Sequence, residues 1–113
     1  MEAETTVNAG ICGFSCQIKA TCEDMQFVTF EVKSDCESIQ QLAQELQKIG
    51  SIDSYREISP RDKSKIFRTG EKNLQGGCRG CIVPVALFKT MQVAAGLALP
   101  MKIDADIQKN GAN

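Results

Sequence analysis

Gly76-Gly77-Cys78-Arg79-Gly80-Cys81-Ile82-Val83-Pro84 places a Cys-x-x-Cys pair in a glycine-rich turn directly ahead of the longest apolar run of the chain. The run from Ile82 to Leu99 predicts a mostly buried helix, since few of its residues are strongly polar. Pro84 falls in the first turn of this helix, where a missing amide donor costs nothing. Cys78 and Cys81 are therefore expected beside the positive end of a helix dipole, which favours thiolate over thiol.

The composition predicts one compact domain over residues 1–113, with 42% hydrophobic and 24% charged residues. The 13 basic and 14 acidic residues are dispersed and give a net charge of −1, so no nucleic-acid surface is expected. Met1 to Thr6 is acidic and polar and predicts neither a signal peptide nor a membrane anchor. The apolar run contains Pro84 and Lys89 and ends at Pro100, which suits a core helix better than a membrane span. We therefore expect a cytoplasmic protein without a membrane or nucleic-acid partner.

Six cysteines and no histidine limit the chemistry open to the chain. In a reducing cytosol, so many cysteines in a short chain indicate metal binding or redox chemistry rather than structural disulfides. Without histidine, a His-containing zinc site, a two-His metallohydrolase and a Cys–His or Ser–His–Asp nucleophile are excluded. All-sulfur and sulfur–carboxylate sites remain. Cys16 and Cys22, taken singly, are expected to be small buried hydrophobes, the commonest fate of a free cysteine.

Two strands are predicted in the first third of the chain. Thr5 to Thr21 alternates as one strand, with its even-numbered residues, including Cys12 and Cys16, on the inward face. After a turn at 22–25, Gln26 to Lys33 follows as an antiparallel second strand. The inward face of the pair is expected to bury Phe14, Ile18, Val28, Phe30 and Val32.

A helix is predicted from Ser34 or Asp35 to Gly50. Ser34 and Glu37 have the spacing of a capping box, with Asp35 as the alternative cap, and Gly50 suits the helix end. The apolar residues of this segment follow at spacings of three and four: Ile39, Leu42, Ala43, Leu46 and Ile49. Residues 51–75 are interpreted as a solvated connector with one short helix between Pro60 and Gly70.

A last strand is predicted over Met101 to Gln108, where apolar and polar residues alternate, before a polar tail at 110–113. The predicted fold is α+β: a small antiparallel or mixed sheet of about three strands, with the helices on one face. In that arrangement four apolar helix residues cover the inward face of the first two strands: Leu42, Leu46, Leu87 and Met91.

Four of the cysteines share one kind of position. Cys36, Cys78 and Cys81 lie at or beside predicted helix starts, and Cys12 lies between two glycines on the inward strand face. If both helices begin at the same end of the sheet, these four residues can converge. An all-thiolate set of this kind is the ligand set of structural zinc or of an iron–sulfur cluster such as 4Fe–4S.

Several short stretches carry a resemblance to known proteins: Gly10 to Phe14 (GICGF), Ser34 to Cys36 (SDC), Cys81 to Pro84 (CIVP) and Ala94 to Pro100 (AAGLALP). With them the chain resembles a family of short uncharacterised proteins from anaerobic bacteria and methanogenic archaea, over most of its length except the middle connector. The resemblance implies cysteines at the positions of Cys12, Cys36 and Cys81, and Cys or His at that of Cys78, as a four-ligand site would have. It brings no established activity.

Three classes of function remain open. The first is a metal protein ligated by Cys12, Cys36, Cys78 and Cys81; one Cys-x-x-Cys with two scattered cysteines resembles an iron–sulfur site more than the paired knuckles of structural zinc. Such a carrier would pass electrons or its cluster to a protein partner. The second is a dithiol–disulfide oxidoreductase using Cys78 and Cys81, although thioredoxin-like proteins carry that motif early in the chain. The third is an interaction or structural protein whose cysteines only pack.

Overall fold

The computed structural model describes residues 1–61 and 63–111. Its elements are, in order, β1 (Glu2–Asn8), β2 (Ser15–Cys22), β3 (Phe27–Ser34), α1 (Glu37–Ile49), β4 (Ile52–Asp53), α2 (Ser54–Glu57), α3 (Lys65–Asn73) and α4 (Val83–Ala94), with a 3-10 turn at Gly76–Gly80. Asp62 of the predicted connector and the last two residues of the predicted polar tail lie outside the described residues. No helix among the described residues is long and apolar enough to cross a membrane.

The sheet is antiparallel and its strands follow in chain order, β1-β2-β3-β4. Ile18 of β2 lies opposite Thr5 of β1 and Val32 of β3, which sets the register across the three long strands. The predicted α+β class and the β2–β3 hairpin are confirmed. Over residues 1–61 and 63–111 the sheet has four strands rather than about three, because the predicted first strand is two strands and β4 comes from the connector.

A turn at residues 9–14 divides the predicted first strand into β1 and β2. The Ala9 amide donates to the Phe14 carbonyl (3.1 Å), and the Gly13 amide donates to the Gly10 carbonyl (2.9 Å). Gly10 and Gly13 have φ of 91° and 75°, a left-handed backbone that glycine adopts without steric cost. The turn changes the phase of the alternation, so the inward residues are odd-numbered in β1 and even-numbered in β2. Phe14 belongs to the turn rather than to β2 and is exposed, contrary to expectation.

The helices pack on one face of the sheet, as predicted. α4 lies on β1 and β2, α1 lies on β3, and α3 contacts both helices. Most of the expected core residues belong to one buried cluster: Ile18, Val28, Phe30, Leu42, Leu46, Leu87 and Met91. Val32 is only half-buried at the edge of that cluster.

The segment 51–75 contributes to the core, so its interpretation as a solvated connector is wrong. Ile52, Ile66 and Leu74 are buried. The buried Glu57 carboxylate accepts hydrogen bonds from the Ser64 hydroxyl (2.7 Å) and from the amides of Lys65 (2.7 Å) and Ile66 (3.0 Å). Glu57 thereby satisfies free amide donors in the first turn of α3 and fixes where that helix begins.

The predicted last strand at 101–108 is also wrong. These residues have no regular secondary structure, and every residue from Gly96 to Gly111 is exposed. The alternation of apolar and polar residues is present, but the segment pairs with neither edge of the described sheet. Without such pairing the apolar side of the segment has no surface against which to be buried.

Candidate functional site

Two chain reversals that carry cysteines lie at the same end of the sheet. β1 ends at Asn8, which pairs with Ser15 at the start of β2, so the turn at 9–14 lies beyond this end. β3 ends at Ser34, which pairs with Cys16, so the chain passes from β3 into α1 at the same end. We call this region the cysteine end. It comprises the turn at 9–14, residues 34–36 before α1, and residues 76–82 before α4.

Cys12 lies in the turn at 9–14 and is exposed. The expected position on an inward strand face is wrong, because the glycine-containing turn removes residues 9–14 from the sheet. The Cys12 side chain does not belong to the buried core cluster or to the partly buried residues packed against it. The position therefore gives Cys12 access both to solvent and to the rest of the cysteine end.

Cys36 is the N-cap residue of α1 and is half-buried against the core. The Ser34 hydroxyl donates to the carbonyl of Ser15 (2.7 Å), and the Cys36 amide donates to the Ser34 hydroxyl (3.2 Å). These two bonds tie the start of α1 to the start of β2. The expected capping box is absent: the N-cap of α1 makes no side-chain cap bond, because Ser34 still belongs to β3 and its hydroxyl is directed to Ser15.

Cys78 and Cys81 lie in and directly after the 3-10 turn at Gly76–Gly80. The Cys78 amide donates to the Gln75 carbonyl (3.1 Å), and the Cys81 amide donates to the Cys78 carbonyl (3.0 Å). Cys78 is exposed, whereas Cys81 is half-buried and packs on the core. The pair thus offers one accessible and one anchored thiol. Pro84 falls in the first turn of α4, as predicted.

The direction of α4 brings Cys81 to the cysteine end. At the C-terminal end of α4, a Cβ atom added to Gly96 would lie 3.1 Å from Met25 Cε and 3.9 Å from Met1 Cε. Met25 lies in the β2–β3 turn and Met1 precedes β1, so both are at the opposite end of the sheet from the turn at 9–14. Because α4 lies along β1 and β2, its N-terminus points back to the cysteine end.

The first turn of α4 is held there by α3. A Cβ atom added to Gly70 would lie 2.8 Å from Pro84 Cγ and 3.2 Å from Pro84 Cβ. Only glycine allows α3 to approach α4 this closely. The contact lies three residues after Cys81 and so limits where that sulfur can be.

The thiol of Cys81 lies in surroundings that raise its pKa. Burial raises the pKa of Cys81; the Val83 amide, donating to its sulfur, lowers it; and negative charge on Cys12, Cys36 and Cys78 raises it further. The expectation that the helix start favours the Cys81 thiolate is therefore wrong, because burial outweighs the bond from the Val83 amide.

Cys16 is a fifth cysteine at this end of the sheet, because it pairs with Ser34. It is 2% exposed, and its pKa is raised to about 11, first by burial and then by negative charge on Cys81 and Cys36. Burial of Cys16 was expected, but its nearness to the predicted ligands was not. Its pairing with Ser34, two residues before Cys36, is the structural cause, and the sequence gives no register between strands from which to find it.

Cys22 is separate from the other five cysteines. It is buried at the opposite end of β2, where its thiol contacts the Asp24 carboxylate at 3.8 Å. All six cysteines are free thiols. Among residues 1–61 and 63–111, no group of three or more His, Cys, Asp or Glu side chains has the arrangement of a metal site. The four predicted ligands thus share one end of the molecule without forming a closed set of ligands.

Comparisons with known proteins place the chain in a family but give no activity. No curated protein and no solved structure matches the chain significantly. The sequence profile of a family of unknown function (DUF6951) matches residues 3–107, which span every strand and helix described above except the first residue of β1. The predicted resemblance to an uncharacterised family is confirmed at this level. The chain belongs to this family of unknown function, DUF6951.

Proposed function

We propose that this protein binds an iron–sulfur cluster through Cys12, Cys36, Cys78 and Cys81. The observation that carries the proposal is the meeting of the 9–14 turn, the start of α1 and the approach to α4 at one end of the sheet. Four thiols from these segments are the complete ligand set of a 4Fe–4S cluster. The chain contains no histidine that could compete as a ligand.

The four cysteines differ in burial. Two are fixed by packing and two lie on exposed turns, an arrangement in which the exposed pair can close around a bound cluster. Cys36 and Cys81 are half-buried and anchored by the starts of two helices. Cys12 and Cys78 are exposed on short turns that contain glycines. Closing the ligand set would then require movement of the two exposed residues toward the anchored pair. Metal binding would release the thiol protons and stabilise the folded chain.

A cluster fits these positions better than a single zinc ion. In a tetrahedral zinc site all four sulfurs lie about 2.3 Å from one metal atom. Structural zinc is commonly held by paired knuckles, and here one Cys-x-x-Cys is combined with single cysteines from two other turns. An iron–sulfur cluster inserts its own iron and sulfide atoms between the ligands, so cysteines on separate segments can bind it without touching. Zinc remains the alternative metal for the same four residues.

The proposed role is electron transfer or cluster delivery to a protein partner in the cytoplasm. Two turns with exposed cysteines leave the cluster position accessible from solvent, which short-range electron transfer or ligand exchange requires. An origin in anaerobic bacteria and methanogenic archaea, which the sequence resemblance implies, would protect such an accessible cluster from oxygen.

Anaerobic purification followed by iron, acid-labile sulfide and zinc analysis, with an absorption spectrum, tests this proposal. We expect iron and sulfide in equal amounts and a broad visible charge-transfer band. Cys81→Ser should lose both, and the control Cys22→Ser should keep both, because Cys22 lies at the other end of the sheet. If the protein contains zinc and neither iron nor sulfide, the site is a structural zinc site rather than a cluster site. If neither metal is bound, the proposal is wrong.

A dithiol–disulfide function is the second candidate, because Cys78 is exposed and Cys81 is half-buried on one short turn. An exposed attacking thiol beside a protected partner is the arrangement that thiol–disulfide exchange uses. Equilibration of the metal-free protein with mixtures of oxidised and reduced dithiothreitol tests it. A reversible two-electron transition that Cys78→Ser abolishes and Cys22→Ser preserves would support this function.

A further inference from the structure

The segment Leu99–Ile107 has the pattern of a strand but no partner. Apolar residues stand at the odd positions, and their exposures are 88% for Leu99, 85% for Met101, 41% for Ile103 and 94% for Ile107. Lysine, aspartate and glutamine occupy even positions from 102 to 108. The segment lies within the part of the chain that the family profile covers, which ends at residue 107. It is thus part of the family domain rather than an addition to it.

The two edges of the sheet differ in how they are protected. On the β3 side, β4 pairs with Phe27 and Val28, and two glutamine side chains of α1 donate to the carbonyls of Phe30 (3.2 Å) and Ser34 (2.9 Å). In the described part of the chain, the outer edge of β1 receives no such strand or side chain. β1 also contains no proline or lysine, the residues that commonly prevent an edge from pairing.

We propose that residues 101–107 of one chain add to the β1 edge of a second copy of this protein. The segment and β1 each have seven residues, of which six pair in the proposed register, 101–106 with 3–8. In both, the odd-numbered residues form the less polar side, and Ala3, Thr5 and Val7 of β1 face the core. A parallel pairing in this register places Met101 and Ile103 beside Ala3 and Thr5, on the face that the helices cover.

The charged residues of the segment and of β1 are compatible with this register. Lys102 would lie beside the exposed Glu4 of β1, and Asp104 and Asp106 would lie beside the neutral Thr6 and Asn8. Opposite charges on neighbouring strands stabilise pairing, and the register avoids like charges. The main-chain hydrogen bonds of strand addition would supply most of the affinity.

The position of the segment favours pairing with β1 of a second copy over pairing with β1 of its own chain. The molecule measures 52 × 28 × 28 Å, and residues 96–111 are exposed throughout. A segment exposed along its whole length can reach the edge of another molecule directly, whereas pairing with its own β1 would require it to reverse after Pro100. Two identical chains can exchange their segments symmetrically, which closes the assembly as a dimer.

Sedimentation of the full chain over a concentration series tests this proposal. We expect a monomer–dimer equilibrium in which Met101→Asp with Ile103→Asp weakens dimerisation at least about tenfold, because two apolar side chains lose their burial. Asp104→Asn, on the other side of the segment, should leave the dimer unchanged. All of these residues are exposed in the monomer, so the helical circular dichroism of each variant should equal that of the natural chain.

A carbodiimide cross-link between Lys102 and Glu4 distinguishes the two possible partners. In an equal mixture of ¹⁴N- and ¹⁵N-labelled chains, linked peptides of mixed isotope content are expected if the pairing is between copies. Linked peptides of uniform isotope content alone would mean that the segment folds back onto its own β1, which overturns the proposal. The proposal is also overturned if the chain stays monomeric at every concentration, or if the substitutions at Met101 and Ile103 leave the dimer dissociation constant unchanged.

Discussion

The hydroxyl oxygens of Thr5 and Thr90 lie 2.6 Å apart and join the edge strand β1 to the middle of α4. The Thr90 hydroxyl donates to the Ala86 carbonyl (2.6 Å), and a hydroxyl has one proton, so Thr5 is the donor of the shared bond. This bond holds α4 in position above β1. The position of α4 along the sheet in turn determines where Cys81 lies.

Replacing Thr90 by valine keeps the shape of the side chain and removes the acceptor for Thr5. We expect Thr90→Val to lower the free energy of unfolding by about 1 kcal/mol, the usual contribution of one such hydrogen bond. Urea unfolding followed by circular dichroism measures the change. Thr6→Val, on the exposed face of the same strand, is the control and should change stability little. Equal losses in both variants would mean that the bond to α4 does not contribute.

Gly70→Ala should destabilise the protein although alanine favours helices. The added Cβ would lie 2.8 Å from Pro84 Cγ in a ring that cannot rotate away. Overpacking costs about 1–3 kcal/mol, which exceeds the gain of up to about 1 kcal/mol in helix propensity. Thermal unfolding of the variant measures the balance. Gly77→Ala, at a position where a Cβ meets nothing within 4 Å, is the matched control.

Glu57→Gln should weaken the start of α3. One carboxylate oxygen accepts from the Ser64 hydroxyl and the Ile66 amide, and the other accepts from the Lys65 amide. An amide side chain would turn an N–H group toward one of these donors, so we expect a loss of about 2 kcal/mol. Chemical denaturation measures it. Exposed Glu71→Gln in the same helix should leave the midpoint within error of the natural chain.

Exposed and buried thiols of the metal-free protein should react with iodoacetamide at different rates at pH 8, with the half-buried Cys36 and Cys81 between them. Cys12 and Cys78 are exposed and should be modified first, whereas the buried Cys16 and Cys22 should be modified last. The pKa of Cys16, about 11, leaves roughly one thiolate in a thousand at this pH. Mass spectrometry of digests taken over time gives the order. Rapid modification of Cys16 in folded protein would contradict the packing of β2 described here.

Cys12→Ser and Cys16→Ala separate the two candidates for the fourth ligand. Cys12 is expected to bind the cluster from its exposed turn, so Cys12→Ser should lose iron and sulfide after anaerobic purification. Cys16 is expected to remain a core thiol, so Cys16→Ala should retain the cluster with a modest loss of stability. The reverse pattern would assign the ligand to β2 and leave the turn at 9–14 without a role in binding.

The sequence predicts those parts of the fold in which the apolar spacing is set within a single helix or strand. α1 shows this best: Ile39, Leu42 and Leu46 follow the helical period and are buried, and Gly50 ends the helix. The β1–β2 turn shows the opposite case. Gly10 and Gly13 suit either a bulge in one strand or a turn between two, and only the pairing of Val7 with Cys16 decides between them.

The candidate site was predictable as a set of chain positions but not as a geometry. The patterns place Cys36, Cys78 and Cys81 at or beside helix starts, but the alternation over residues 5–21 predicts no turn at 9–14. The exposure of Cys12 depends on backbone angles in the turn, and the nearness of Cys16 to Cys36 depends on the register of β2 and β3. Both depend on contacts between segments far apart in the sequence, which no local pattern contains.

The distance along the chain between the cysteines has a consequence for biosynthesis. Cys12 and Cys81 are separated by most of the sheet and three helices, and Cys81 reaches its position only when α4 lies on β1 and β2. The residues of α4 must therefore have left the ribosome before the cysteine end can form. Because its contacts join residues far apart in the sequence, we expect this end to form after the local β2–β3 hairpin. Any loading of this end with metal would follow translation of the whole core, and nascent fragments ending before residue 94 would carry the thiols without the site.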